Sequence, residues 1–393
     1  MPHRKLTKSA ITADRRTRAR YRKERRFKLY CIGALSLAVA FLVVFFTSLI
    51  GQGWSAFQQA EVLVEVSYNE QSVELPLAAV GEDARPLVSR GFYRLIPRQV
   101  EQNPELMDTT KEQWVLAKAD VDQYLKGKKA RLRANEKKTV DRLVEEGRAR
   151  LAFNTGFFTN GDSKLPEMAG IYSAAVGSIY VLALTLAFSF PVGVMSAVYL
   201  EEFAPDNRFT QGIEININNL AAVPSILFGL LGLAIFINFF HVPRSSPLVG
   251  GLTLALMTLP VVIISTRAAL RAVPDTIRQG ALAMGITRWQ AVRDHVLPLS
   301  LPGILTGTII GLAQAMGETA PLIIVGMIAF IPDAPGSVTE AATVLPAQIF
   351  TWAGMPQRAF VERTAAGILV LVAVLIAMNA LAVYLRRRFE RRW

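Results

Sequence analysis

Few residues in this sequence have the type and spacing for chemistry, and the most exceptional is Glu318. It interrupts the otherwise charge-free run Val296–Pro332. Counted along a helix, it lies roughly 24 Å in, at about 1.5 Å per residue. A charge at the centre of a bilayer costs about 2.5–3.5 kcal/mol on the insertion scale, so such a residue faces a bundle or water and has a partner. Three readings stand. Glu318 pairs with an arginine of another chain, or it caps a helix broken at Pro321 by bonding nearby amides, or it is protonated and donates to an anion. Thr319 beside it offers its hydroxyl to an anion or back to its own helix. The remaining candidates are weaker. His241 closes an apolar run beside Pro243, and His295 has no Cys, Asp or Glu at ligand spacing; both read as surface histidines. Cys31 stands alone, which excludes an internal disulfide and a cysteine-based metal site. The pattern G-x-x-x-x-G-K-[ST] is missing: Gly127-Lys128 has Asp122 where the upstream glycine belongs. No catalytic set or cofactor motif is present.

The elements that hold Glu318 are set by where the apolar residues fall. Hydrophobic residues make up 52% and charged residues 19%. Charge-free runs are Leu29–Ile50, Ile171–Leu200, Ile215–Phe240, Ser245–Thr266 and Thr364–Leu385, with Val296–Pro332 as the sixth. A helix of about 20 apolar residues crosses the hydrocarbon core, and all six runs are long enough. Residues 1–28 hold 12 Lys/Arg against 2 Asp/Glu, the segment Arg267–His295 holds five Arg against two Asp, and the tail after Leu385 holds five Arg against Glu390. With the N-terminus inside and all six runs crossing, these three pieces share the cytoplasmic side, as positive charge near spans favours. One loop dissents: Glu201, Glu202 and Asp206 face only Arg208. The arm "RRTRARYRKERR" (Arg15–Arg26) precedes a span directly, so it reads as an anchor to anionic lipid rather than a nucleic-acid arm. The first run is longer than the core of a signal peptide and reads as an uncleaved anchor.

This gives a domain plan. A basic cytoplasmic N-terminus (1–28) leads to the first transmembrane helix (29–50), a periplasmic insert (51–170), a core of five spans (171–386) and a basic tail (387–393). In the insert, 17 Lys/Arg nearly balance 18 Asp/Glu. Val62, Val64, Val66 and Tyr68 alternate, as do Val73, Leu75 and Leu77 after "NEQS", which predicts a β-hairpin. Glu105–Leu151 reads as helical, with Trp114, Leu116, Val121, Tyr124 and Leu125 as a stripe; the polar "KGKKARLRANEKK" is either a solvated helix or a break between two. The insert reads as a docking or structural unit, with direct solute binding as its alternative. Pro191, Pro224, Pro260 and Pro321 fall in four of the five core spans. Broken helices survive in a membrane only where neighbours or water satisfy the freed groups.

Between the fourth and fifth spans lies "QGALAMGITRWQAVRDHVLP" (Gln279–Pro298), within a hairpin spanning 268–300. Pro274 suits a first helical turn, and a helix is predicted over Asp275–Met284. Gly285 fits a C-terminus needing positive φ. Thr287 and Gln290 are spaced as a capping box. Ile286, Trp289, Val292 and Val296 share one side of the second helix, and Pro298 and Pro302 end it. The product is a rigid amphipathic helix–turn–helix, suited to being held by a partner.

That hairpin resembles the cytoplasmic loop of ATP-binding-cassette importer permeases, E-A-A-x3-G-x9-I-x-L-P. Here Gln279-Gly280-Ala281 stands at E-A-A, Gly285 follows, and Leu297-Pro298 closes the match; Gln279-Gly280 replaces Glu-Ala, and His295 replaces an aliphatic residue. "AMGETAPLI", "FPVGVMSAVYLEEFAP" and "NNLAAVPSILFGLLGLAIF" resemble the phosphate-importer permeases of the PstA type over about Gly170–Arg388. The long insert resembles an extra domain in a subset of that family. The resemblance implies an all-α polytopic fold of six transmembrane helices with an extracytoplasmic α+β insert, in a bacterial inner membrane. It implies alternating access driven by an ATPase dimer that grips one hairpin per permease: Gln279, Gly280, Ala281, Gly285, Thr287, Trp289 and Pro298 in this chain. A second, related permease and a periplasmic phosphate-binding protein are the other implied partners. Gln314 stands where relatives often have Arg, so Gln314, Glu318, Thr319 and Pro321 are the candidates for the translocation path or for pairing with that permease. Rival readings are a permease for molybdate or sulfate, a sensor or scaffold built on the insert, and an ion-coupled transporter with Glu318 as proton carrier.

Overall fold

A computed structural model of the chain describes residues 8–389; the first seven residues of the basic N-terminus and residues 390–393 of the basic tail lie outside the described residues. Two compact units divide the chain, one ending at Gln52 and the other starting at Gly53. The first is essentially one helix, α1 (Lys8–Gly53). Residues 29–48 are exposed along its whole length. An apolar surface of that extent calls for lipid or another protein rather than water.

The second unit begins with a three-stranded antiparallel sheet of order β2-β1-β3. The central strand is β1 (Gln58–Tyr68), flanked by β2 (Thr109–Leu116) and β3 (Ala149–Phe153). Ala60, Val62, Val64, Val66 and Tyr68 are buried in alternation, as period-2 geometry requires. The predicted hairpin does not form. Glu70–Glu74 is a short helix, α2, because Asn69 and Ser72 make a reciprocal capping box: "NEQS" starts a helix instead of turning a strand. The predicted helix over Glu105–Leu151 is also corrected. Trp114 and Leu116 belong to β2, whose ladder partner Glu61–Tyr68 is more than forty residues away. Pairing at that separation overrides a loose local stripe. Around the sheet lie α3 (Arg90–Gln102), α4 (Ala119–Leu125), α5 (Ala134–Glu145) and α6 (Gly156–Thr159). The polar segment between α4 and α5 is a break.

Among the described residues, five helices are long and apolar enough to cross a membrane, or six if one bent pair counts as a span. The pair is α8 (Arg208–Ala221) and α9 (Ser225–Gly232, extended by a π-helical stretch to Phe239), bent by 102° at the break before Ser225. The run Ile215–Phe240 is therefore not a straight span: Pro224 sits in the break, where its missing N–H and ring clash cost least. Pro191 and Pro260 are inside α7 (Tyr172–Val198) and α10 (Pro247–Arg271). After α11 (Asp275–Ala283) and α12 (Arg288–Ala291), a π turn at Val292–Val296 runs into α13 (Leu297–Gly317). The last elements are α14 (Ala320–Ile324), α15 (Leu345–Ala353) and α16 (Ala359–Phe389).

Helix α10 packs against both α7 and α13, and α13 against α16. Small residues set the spacing. A Cβ added at Gly251 of α10 would stand 2.5 Å from Cβ of Leu184, and one at Gly307 of α13 would stand 2.3 Å from Cβ of Ser265. The hydroxyl of Thr185 donates across to the carbonyl of Gly251 at 3.3 Å. Close backbones and interhelical hydrogen bonds are what hold helices together where hydrophobicity cannot.

Candidate functional site

The hairpin between α10 and α13 is built as a rigid joint. Pro274 is the N-cap of α11 rather than its first helical residue, with φ −58° and ψ 140°. Gly285 has φ +83°, and a Cβ there would meet nothing within 4 Å; the backbone conformation alone selects glycine. The hydroxyl of Thr287 accepts from the N–H of Gln290 at 3.3 Å, and the Gln290 side chain accepts from the N–H of Thr287 at 2.9 Å. The second half does not end at Pro298, as the sequence suggested. It passes without a break into α13, giving one helix over Arg288–Gly317. The π turn before Pro298 widens the helix there, which accommodates a residue lacking its N–H. Any force on the hairpin is thus applied to α13 directly.

One face of the hairpin is seated and the other free. Leu270, Val273 and Val296 are buried together, with Ile277 packed against them. Ala281 is buried, while Gln279, Gly280, Thr287, Trp289 and Pro298 are exposed. Trp289 therefore departs from the buried side shared by Val292 and Val296. Leu282, Met284 and Trp289 leave apolar surface uncovered within the chain, Met284 being 84% exposed.

Ion pairs between segments far apart in the chain fix the seated face. Arg278 reaches Glu202 at 2.7 Å and donates to the carbonyls of Val273 and Leu270. The hydrogen bond to Glu202 raises its pKa further above the ordinary arginine value. Arg267 bonds Glu201 at 3.1 Å and Glu214 at 2.6 Å, and Arg271 bonds Glu201 at 2.7 Å. The acidic loop that dissented from the charge rule is the counter-charge to these arginines. The signal was present in the sequence as two opposite, nearly equal clusters.

Glu318 is not in the middle of a helix. Helix α13 ends at Gly317, Glu318 is extended (φ −80°, ψ 118°), and α14 starts after Thr319. The break falls at Glu318-Thr319, with buried Pro321 in the first turn beyond it. Of the three readings of Glu318, capping does not occur: α14 has no side-chain cap, and its N-cap Thr319 is helical instead of extended (φ −99°, ψ −40°). Gln314 is exposed and Glu318 and Thr319 half-buried. Among the described residues no ion pair or side-chain hydrogen bond reaches the carboxylate of Glu318. The two interrupted elements lie together: a Cβ at Gly229 of α9 would stand 2.8 Å from Cα of Pro321. Freed backbone groups are tolerated at membrane depth only where protein or a water-filled path meets them.

The opposite end of the helices carries a second cluster. Glu362, in the first turn of α16, receives Lys128 at 2.6 Å, Gln123 at 2.7 Å and Lys126 at 3.3 Å. Lys126 also binds Asp122 at 2.6 Å, and Asp122 accepts from the N–H of Ala60 in β1 at 2.8 Å. Arg363, 4% exposed, donates to the carbonyls of Ala56 and Glu167. The hydroxyl of Ser89 donates to Glu167 at 2.7 Å, and burial pushes that carboxyl above its ordinary range. These residues went unnoticed because Glu362 and Arg363 lie just outside the charge-free run.

A bundle of membrane-length helices, with a capped hairpin between two of them and broken helices beside it, defines a membrane transport subunit. Residues 189–393, more than half of the chain, match the family described as "Binding-protein-dependent transport system inner membrane component". The chain belongs to that family and is a permease subunit of an ATP-binding-cassette importer. Residues 14–79 and 78–134 match "Domain of unknown function (DUF3333)". The chain is 32% identical over 231 residues to the phosphate transport system permease protein PstA 1 of Mycobacterium tuberculosis (strain ATCC 25618 / H37Rv), covering 58% of this chain and 74% of that protein. It is 33% identical over 182 residues to the probable ABC transporter permease protein YqgI of Bacillus subtilis (strain 168), covering 46% of this chain and 60% of that one. Among solved structures, it is similar to the inward-facing MetNI methionine ABC transporter, with 18% identity, a TM-score of 0.46, and coverage of 56% of this chain and 98% of that one.

Proposed function

We propose that this chain forms part of the translocation path of a phosphate importer, and that the 279–298 hairpin is its joint to a separate ATPase dimer. The observation that carries the coupling is mechanical. The hairpin is capped and turned by a left-handed glycine, continuous with α13, and pinned by Arg278 to the end of the helix that begins with α7. Its free face offers Leu282, Met284 and Trp289 to a groove. Closure of two ATPase subunits would move this body, and with it α13 and the break at Glu318-Thr319. In this reading the hairpin end is cytoplasmic and the insert end periplasmic, in a bacterial inner membrane. A second, related permease lies against the exposed side of Gln314, with an arginine of its own for Glu318; a periplasmic phosphate-binding protein docks on the insert side. Phosphate as substrate is supported by the PstA relatives.

The test is uptake of labelled phosphate at micromolar concentration in cells with and without the chain, with sulfate and molybdate as competitors and a parallel ATP-depleted sample. Deletion should remove an ATP-dependent component that sulfate and molybdate do not compete. Loss of molybdate or sulfate uptake instead would keep the machine and replace its substrate.

A further inference from the structure

Beside the Glu362 cluster is a cavity of about 480 Å³, none of whose lining residues belongs to the hairpin or to the break at Glu318-Thr319. Small-molecule sites run from roughly 300 to 1,000 Å³. Its walls come from the insert and from the segment Pro356–Ala359, which leads straight into α16. Six cations line it: Arg90, Lys118, Lys129, Arg131, Lys164 and Arg358. Two acids share it, and both are engaged. Asp120 lies 3.7 Å from Lys118 and accepts the backbone N–H of Arg131, while Glu167 is held by Ser89. Among the described residues the other five cations form no ion pair; Lys164 only rests over the ring of Phe330, 5.5 Å from its centroid.

Like charges gathered around a concavity repel, and the chain supplies too few carboxylates to offset them. A bound anion would. Three of the cations are arginines, whose planar forks fit tetrahedral oxyanions through paired hydrogen bonds. Arg90, Lys129, Arg131, Lys164 and Arg358 are exposed, so an anion can reach them. We infer that this cavity between the insert and the start of α16 binds a phosphate group, at a site separate from the translocation path. Two sources share that chemistry. One is inorganic phosphate in solution. The other is the headgroup of an anionic phospholipid, which the position at the end of a membrane-length helix makes accessible.

The experiment has two arms and uses the full chain. In the first, the purified chain in detergent is titrated with inorganic phosphate at low ionic strength by calorimetry. In the second, it is placed in nanodiscs of phosphatidylglycerol or phosphatidylcholine, and retained lipid is read by native mass spectrometry after extraction. Each arm compares the natural chain with Arg131→Gln/Arg358→Gln and with Lys138→Gln, a surface control on α5. Losing one charge-assisted hydrogen bond weakens binding by about tenfold. The double variant should lose at least that factor in one arm, and that arm names the source; the control should lose nothing. Equal loss in the control, or no loss in either arm, overturns the site. Arg131 and Arg358 are exposed and form no ion pair, so the double variant should fold; Lys164→Gln repeats the test from the other wall. The readout is binding rather than uptake, so a failure to import phosphate would leave this result standing or falling by itself.

Discussion

Ion pairs knit the second unit at both ends of its helices, but the two clusters are built differently. At the insert end the side chains of Lys126, Asp122 and Glu362 are 3%, 9% and 6% exposed. At the hairpin end the acids are as shielded, Glu202 being 5% and Glu201 16% exposed, but the arginines grade outward into water: Arg267 is 12%, Arg278 20% and Arg271 60% exposed, whereas at the insert end only Lys128, at 34%, is wet. Buried charges cannot be parted cheaply, because separation leaves each one unsolvated. Pairs with one partner reaching water part at a lower cost, because water solvates the freed arginine. The insert is therefore held as a fixed extension of α16, while the hairpin end is set up to shift. That division fits the proposed mechanism, in which the hairpin moves while the insert end holds still.

The sharpest way to break this comparison is Glu362→Ala. It removes the shared partner of Lys126 and Lys128, and should cost about 3–5 kcal/mol of stability, read as a large fall in the unfolding midpoint of the purified chain. A fall no larger than that of a surface pair would erase the distinction between the ends. Glu202→Ala should cost less, about 1.5–3 kcal/mol, since Arg278 keeps its two carbonyl acceptors; uptake should drop while ATP hydrolysis by the assembled transporter continues. Uptake at the natural rate would show that the hairpin does not need this tether.

Gly285→Val places a β-branched residue at φ +83°, at a cost of about 1–2 kcal/mol for the left-handed region. Assembly should survive and ATP-driven uptake should fail. Gly285→Asn, which tolerates that region, should retain much of it; if both variants transported normally, the turn would not be part of the joint. Arg271→Ala should change stability by less than about 1 kcal/mol, as for other exposed pairs, and a larger loss would mean the hairpin end is as fixed as the insert end.

The smallest effect is one of pH. Burial raises the carboxyl of Glu167 above its ordinary 4.5. A group raised in the folded state contributes stability that is fully present below the unfolded value and lost as pH rises through the folded one. Glu167→Gln should flatten the unfolding midpoint against pH in the window above 4.5; parallel curves for the two chains would show that Glu167 does not titrate there.

Much of this was legible in one dimension. Apolar runs gave the membrane-length helices, because the length of a span is fixed by the bilayer and not by neighbours. Gly285 and the Thr287–Gln290 box were legible because turn and cap geometry depend on three or four adjacent residues. The failures have a common cause. The strand Thr109–Leu116 carries a helix-like apolar stripe, and only its remote partner makes it a strand. The exact place of the break, Glu318-Thr319 rather than Pro321, leaves no mark on hydropathy, because the apolar run continues on both sides.

By itself, then, the sequence determined what is local: which segments avoid water and where the hairpin turns. Tertiary structure alone decided which charges meet. Glu201 and Glu202 with Arg267, Arg271 and Arg278, Glu362 with Lys126 and Lys128, and the cations around the cavity come from segments tens to hundreds of residues apart. An ion pair depends on distance in space and on exclusion of water, and neither is written in the order of the chain.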